Sequence, residues 1–239
     1  MGSNSHSSFI INYISSSTFT VPKGVKKIDV FCVGGGCGGF SSRSDDCSDS
    51  YNDVGGGGGG GGYTATKLGV DVNPGQQLSV VVGGASSTSS VGSICSAEGA
   101  KYKDNSPNSI WADGNIPGGN GGSGGGHGSC FYTYPFDTSR NAIRFSNTKG
   151  GTDGSDGELA SGFSTNIQGK GQHSTTRYFG ESTGTLYSTG GNGGKGWYGY
   201  PHFTGFSKPE VKTDNTGDGG DGNNGKGASG ICIIRWSGK

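Results

Sequence analysis

Apolar and polar residues alternate in three stretches of the chain. The first runs from Phe19 to Val33: Thr18-Phe19-Thr20-Val21, a Pro22-Lys23-Gly24 turn, then Lys27-Ile28-Asp29-Val30-Phe31-Cys32-Val33. In the second piece Ile28, Val30 and Cys32 fall on one face and Phe31 and Val33 on the other, which predicts a strand covered on both faces. The second stretch, Tyr63 to Val82, has Leu68, Val70 and Val72 in period two, an Asn73-Pro74-Gly75 turn and a return arm from Gln77 to Val82. The third is Ile231-Cys232-Ile233-Ile234-Arg235-Trp236. A further strand is read at Phe9 to Ile14. Strands from both ends of the chain closing on each other predict a compact β scaffold. Helix signals are nearly absent, because glycine or proline interrupts almost every window of helical length. Ser129 to Lys149, as long as any glycine-free stretch in the chain, contains Pro135 and has no 3.6-residue period.

Glycine fills much of the space between these strands. It supplies 54 of the 239 residues. The longest block is Gly55 to Gly62; others surround Cys37, Asn120, Asn192 and Asp218. Glycine loses more freedom on folding than any other residue, so such blocks either stay flexible or are held by something other than side-chain packing. Here they alternate with aromatic-rich segments inside the span bracketed by the end strands, which favours order. Polyglycine can adopt the left-handed polyproline II helix, with about 3.1 Å rise per residue and no internal hydrogen bonds. Side by side, such helices satisfy one another's backbone groups, and the missing Cβ permits the approach. The expected fold class is therefore mainly β and irregular with essentially no α-helix: a small β-sandwich-like scaffold from the terminal strands plus a bundle of polyglycine II helices with long loops. It is expected as a single glycine-rich domain over residues 1–239. The β scaffold is read at 19–84 and 228–236, and the glycine blocks with their variable loops at 34–62 and 114–227.

Charge and composition narrow the function. Lys+Arg and Asp+Glu balance at 18 each, so no basic excess points to nucleic acid. Leu, Ile, Val and Phe make up about 16% of the chain, below the roughly 20% that marks disorder, yet the high net charge of a disordered chain is missing. No apolar run approaches 18 residues, so no membrane span is expected. Met1 to His6 lack a basic start and an apolar stretch, so no secretory signal is read. Cys32, Cys37, Cys47, Cys95, Cys130 and Cys232 have no CxxC spacing, which argues against zinc. Reduced thiols, some buried as small hydrophobes, are expected, with disulfides open after release from the cell.

The strand segments carry a resemblance. Phe19-Thr20-Val21-Pro22-Lys23-Gly24-Val25 with Ile28 to Gly36, Val72-Asn73-Pro74-Gly75 with Leu78 to Gly83, and Ala228-Ser229-Gly230 with Ile231 to Trp236 resemble, in this order, glycine-rich domains of bacteriophage tail proteins. The wider group includes tail-fibre tip adhesins, whose polyglycine II helices form a layered core and whose connecting loops bind the bacterial surface. The resemblance implies a tail-fibre or tail-tip adhesin, assembled in the host cytoplasm and carried on the virion. Its implied partners are a bacterial surface protein or glycan and other tail-fibre proteins. This chain departs from the pattern at Cys37, which breaks the first glycine run, and at Phe40 to Val54, an insertion that reads as an extra loop for binding.

Other motifs are weak. Gly220 to Lys226 starts like a phosphate-binding loop, but Gly227 stands where Ser or Thr is required. Asp153, Asp156, Asp218 and Asp221 are read as turn formers that cap N–H groups rather than as calcium ligands, since no nine-residue register repeats. His6, His127, His173 and His202 neighbour no nucleophile with an orienting group. No enzyme activity, cofactor or metal is therefore expected. The aromatics remain. Trp197, Tyr198, Tyr200, His202 and Phe203, then Tyr132 and Tyr134, then Trp111, lie in loops rich in Gly, Ser and Asn, the composition of binding surfaces. They either contact a receptor or cover the glycine bundle. The alternative function is a self-assembling or connecting tail or filament protein without a receptor.

Overall fold

The structure, a computed structural model, describes residues 8–39, 43–47, 50–54, 58–100, 177–192, 196–199, 203–206, 208–222 and 224–237. Its strands are β1 (Ser8–Tyr13), β2 (Ser17–Thr20), β3 (Lys27–Val33), β4 (Arg43–Cys47), β5 (Ser50–Val54), β6 (Thr64–Asp71), β7 (Gln77–Val81), β8 (Ser89–Val91), β9 (Cys95–Ala97), β10 (Gly196–Gly199), β11 (Phe203–Phe206) and β12 (Ile231–Ser237). The described chain is mainly β; among the described residues there is no α-helix, only a short 3-10 turn at Tyr178–Gly180. Two four-stranded antiparallel sheets have the orders β1-β12-β3-β6 and β2-β7-β8-β9, and β4–β5 and β10–β11 are separate hairpins.

The alternating stretches explain the core. β12 lies between β1 and β3, so strands from the two ends of the chain do close on each other. Ile28, Val30 and Cys32 of β3 join Cys232 and Ile234 of β12, Phe19, Leu78 and Val80 of the second sheet, and Val91, Cys95 and Ala97 in one buried cluster. Phe31, Val33, Ile231 and Ile233 face the other way and are covered by Phe179 and Tyr187. Both faces of β3 are thus dry, as its pattern requires. The covering segment is tied down by Arg235. Its guanidinium donates to Asp29 at 2.8 Å and to Glu181 at 2.6 Å, and sits 4.1 Å from the centre of the Phe179 ring. Asp29 and Arg235 are direct cross-strand partners.

Two expectations need correction. Both expected turns form, at Pro22-Lys23-Gly24 and Asn73-Pro74-Gly75, but the arm Gln77 to Val82 does not return along the strand before it, because both turns change sheet. They carry the chain from β2 in one sheet to β3 in the other, and from β6 to β7 in the reverse sense. The two crossings hydrogen-bond to each other: Val21 N–H donates to Gln76 at 2.9 Å and Gly75 N–H to Val21 at 2.8 Å. Period two also fails in β6. Val30 pairs with Lys67 and Ile28 with Val70, so an extra residue bulges out of β6. Gly69 takes φ +62 there and its N–H is held by Asp29 at 2.7 Å. Leu68 is consequently 60% exposed, whereas Val72 is buried.

The glycine segments 34–39, 58–63, 188–192, 216–222 and 225–230 extend from the sheets and bond to one another. Along 34–39 the N–H groups take partners in rotation. Gly34 and Cys37 donate to Tyr63 and Gly60; Gly36 and Gly39 donate to Ala228 and Gly225; Gly35 donates to Ser87, all at 2.8 to 3.0 Å. Residues three apart share a neighbour. The same interval recurs where Gly59 and Gly62 reach Gly220 and Gly217, and where Gly219 and Gly222 reach Thr189 and Asn192. The approach is too close for side chains. A Cβ at Gly36, Gly39, Gly59, Gly62, Gly191 or Gly227 would fall inside 3.0 Å of a carbonyl oxygen on the next segment.

Candidate functional site

Hydrogen-bond partners define two ends of the glycine segments. Gly34, Tyr63, Gly217 and Gly230 lie at the sheet end, linked by Gly34 to Tyr63, Gly62 to Gly217 and Gly230 to Gly83. Gly39, Gly59, Asn192, Gly222 and Gly225 lie at the far end, linked by Gly39 to Gly225, Gly59 to Gly220 and Gly222 to Asn192. The chain passes through β4–β5 between Gly39 and Gly58, and through β10–β11 after Asn192. Both hairpins therefore lead off the end away from the two sheets. Their strands lie alongside each other, β5 beside β10 and β11.

Side chains also take up backbone N–H groups of these segments. Asp218 Oδ1 accepts the N–H of Thr189 and Asp221 Oδ1 that of Asn192, each at 2.8 Å and again three residues apart. Asp221 also accepts from the Glu210 N–H at 3.0 Å and pairs with Lys212 at 2.8 Å. These two carboxylates cap N–H groups, the role their turn-forming sequence context predicts; Asp153 and Asp156 lie outside the described residues. Among the described residues no three His, Cys, Asp or Glu side chains are arranged to hold a metal. Cys37 occupies the break in the first glycine run. Its buried sulfur accepts the Gly60 N–H at 3.2 Å, and burial pushes the thiol up to about 11.

Of the aromatics singled out in the sequence, Trp197 and Tyr198 lie in β10 and Phe203 in β11. The register sets Trp197 opposite Gly205, Tyr198 opposite Thr204 and Gly199 opposite Phe203. Tyr200, His202, Tyr132, Tyr134 and Trp111 lie outside the described residues. The β4–β5 hairpin adds residues that the aromatic count did not select, with Asp45 opposite Asn52 and Asp46 opposite Tyr51. A signal for it was present: Ser48-Asp49 sits between two five-residue arms, the length of a tight hairpin loop. Its position beside β10 joins residues about 150 apart, which no local pattern reports.

Among the described residues the arrangement is two adjacent hairpins, with aromatic and acidic residues in their sequences, next to glycine segments bonded through their backbones. Among the described residues no helix is long and apolar enough to cross a membrane. A family model described as a glycine-rich domain matches residues 12–237. No curated protein matches the chain.

Proposed function

The chain belongs to the glycine-rich domain family, and from that premise we propose that it is an adhesin of a bacteriophage tail fibre or tail tip, binding a bacterial surface protein or glycan. The observation that carries this reading is the separation of ends. β1 and β12, from the two ends of the chain, lie in one sheet, and the hairpin containing Trp197, Tyr198 and Phe203 leads off the opposite end beside β4–β5. An adhesin needs that polarity: one end to join the virion's other tail-fibre proteins, one end to meet the host. On this reading the two sheets face each other as a β-sandwich, consistent with their shared buried cluster. The glycine segments are polyglycine II helices, consistent with the three-residue interval of their hydrogen bonds. A stem closed by backbone bonds leaves the loops little freedom to lose on binding, which favours affinity without covalent chemistry. Tyr200, His202, Tyr132, Tyr134 and Trp111, outside the described residues, are proposed as further receptor contacts.

The purified, labelled chain should bind a narrow subset of a diverse bacterial strain panel, saturably. Absence of binding to every strain sinks the reading.

One observation favours a second reading, that of a self-assembling tail or filament protein. Edge strand β1 leaves Phe9 49%, Ile10 47% and Ile11 38% exposed and carries no charged residue. Such an edge is a template for pairing with another chain. Filaments growing with protein concentration, in the absence of bacteria, would support it.

A further inference from the structure

Three cysteines meet between the two sheets: Cys32 of β3, Cys232 of β12 and Cys95 of β9, all buried free thiols. Cys232 Sγ lies 3.7 Å from Cys32 Sγ, and Cys32 Sγ lies 3.9 Å from the Cys95 carbonyl oxygen. Cys32 and Cys232 are direct partners in the antiparallel register. The kind of pair follows from the next residue along. Gly34 sends its N–H to Tyr63, on the β6 side of β3. Alternate residues of a strand bond toward the same neighbour, so Cys32 also bonds toward β6 and meets Cys232 as a non-hydrogen-bonded pair. In such pairs the Cα atoms are about 4.5 Å apart, within the range a disulfide bridges. The sulfurs need only close from 3.7 Å to about 2.0 Å by side-chain rotation.

We propose that Cys32 and Cys232 form a disulfide when the chain folds in an oxidising medium, joining strands 200 positions apart in sequence. With a small disulfide such as oxidised glutathione as oxidant, one cysteine thiolate attacks it and releases one glutathione thiolate. The second cysteine thiolate then displaces the other from the mixed disulfide. Two protein thiols are oxidised, two glutathione thiols are produced, and the two protons pass to solvent or glutathione. Because the native pair is buried, the reaction runs during folding or local opening. The bond would tie β3 to β12 in the middle of the sheet where the chain ends meet. Cys95 is the competitor: it accepts a hydrogen bond from the Cys32 thiol, which draws its own titration downward.

The test is refolding of the reduced, denatured chain in a glutathione redox buffer, then blocking of free thiols and peptide mass mapping. The expected result is a Cys32–Cys232 link with Cys95 blocked, and a melting temperature roughly 10 °C above that of the chain kept in reductant. That gain should vanish in Cys232→Ala. The wild-type map stands alone if this variant does not fold. A Cys32–Cys95 link overturns the assignment, as does native melting behaviour with Cys32 and Cys232 both blocked.

Discussion

A methyl group added at Gly59 would lie against the Cys37 and Gly38 carbonyl oxygens, whereas the same group at Gly84 would meet nothing within 4 Å. The two glycines differ in what surrounds them, and their substitutions should differ accordingly. Gly59→Ala forces two backbones apart and should cost about 3 kcal/mol or more in a urea melt. Gly84→Ala should stay within about 0.5 kcal/mol. Cys37 makes a second residue-scale prediction. Its thiol titrates near 11 in the folded chain, above the ordinary value of about 8.5. A group raised on folding adds stability that is complete below its unfolded value and lost as pH climbs through the folded one. Melting temperature should therefore fall between about pH 8.5 and about 11. Burial also raises Tyr13 and Tyr187, so part of the slope is theirs. Cys37→Ala should make the slope shallower; an unchanged slope would show that Cys37 does not contribute.

At the scale of elements, three segments of the chain meet at Asp221, whose carboxylate holds Asn192, Glu210 and Lys212 together. Both members of the ion pair are nearly dry, at 12% and 11% side-chain exposure. Asp221→Ala would leave Lys212 with only the more distant Glu210 carboxylate, at 3.6 Å, and should cost about 2 to 4 kcal/mol in a urea melt. Asp218→Ala, which loses one N–H acceptor, should cost about 1 kcal/mol. Elements differ in how well local sequence encodes them. β3 and β12 were legible because their alternation persists and both faces are apolar. β8 and β9 were not, because Ser89–Val91 and Cys95–Ala97 are three residues each and are defined by pairing alone. The bulge at Gly69 was hidden, since one extra residue leaves the local pattern of β6 looking regular. The Pro-Gly turns were visible as turns, but their sheet-to-sheet direction depends on contacts between distant segments. Glycine density announced close backbone approach, and the rotation of partners every third residue required coordinates to read. The aromatics around Trp197 read as a loop, whereas Trp197, Tyr198 and Phe203 lie in paired strands, and β4–β5 beside them reads as an insertion although its two-residue loop is a hairpin signal.

The described residues run from terminal strands in the sheets, through the glycine segments, to paired hairpins at the far end. If that arrangement serves attachment to a host, binding and stability should be separable by position. The most direct measurement compares, on one strain that binds the wild-type chain, the distal pair Trp197→Ala/Tyr198→Ala with the basal Leu68→Ser. Leu68 is 60% exposed in the sheet, so its substitution changes an exposed position away from the hairpins. Melting temperature is recorded for each. The account predicts at least a tenfold loss of affinity for the distal pair, unchanged affinity for Leu68→Ser, and wild-type melting for both. Full binding by the distal pair, or equal loss at both ends, would contradict it.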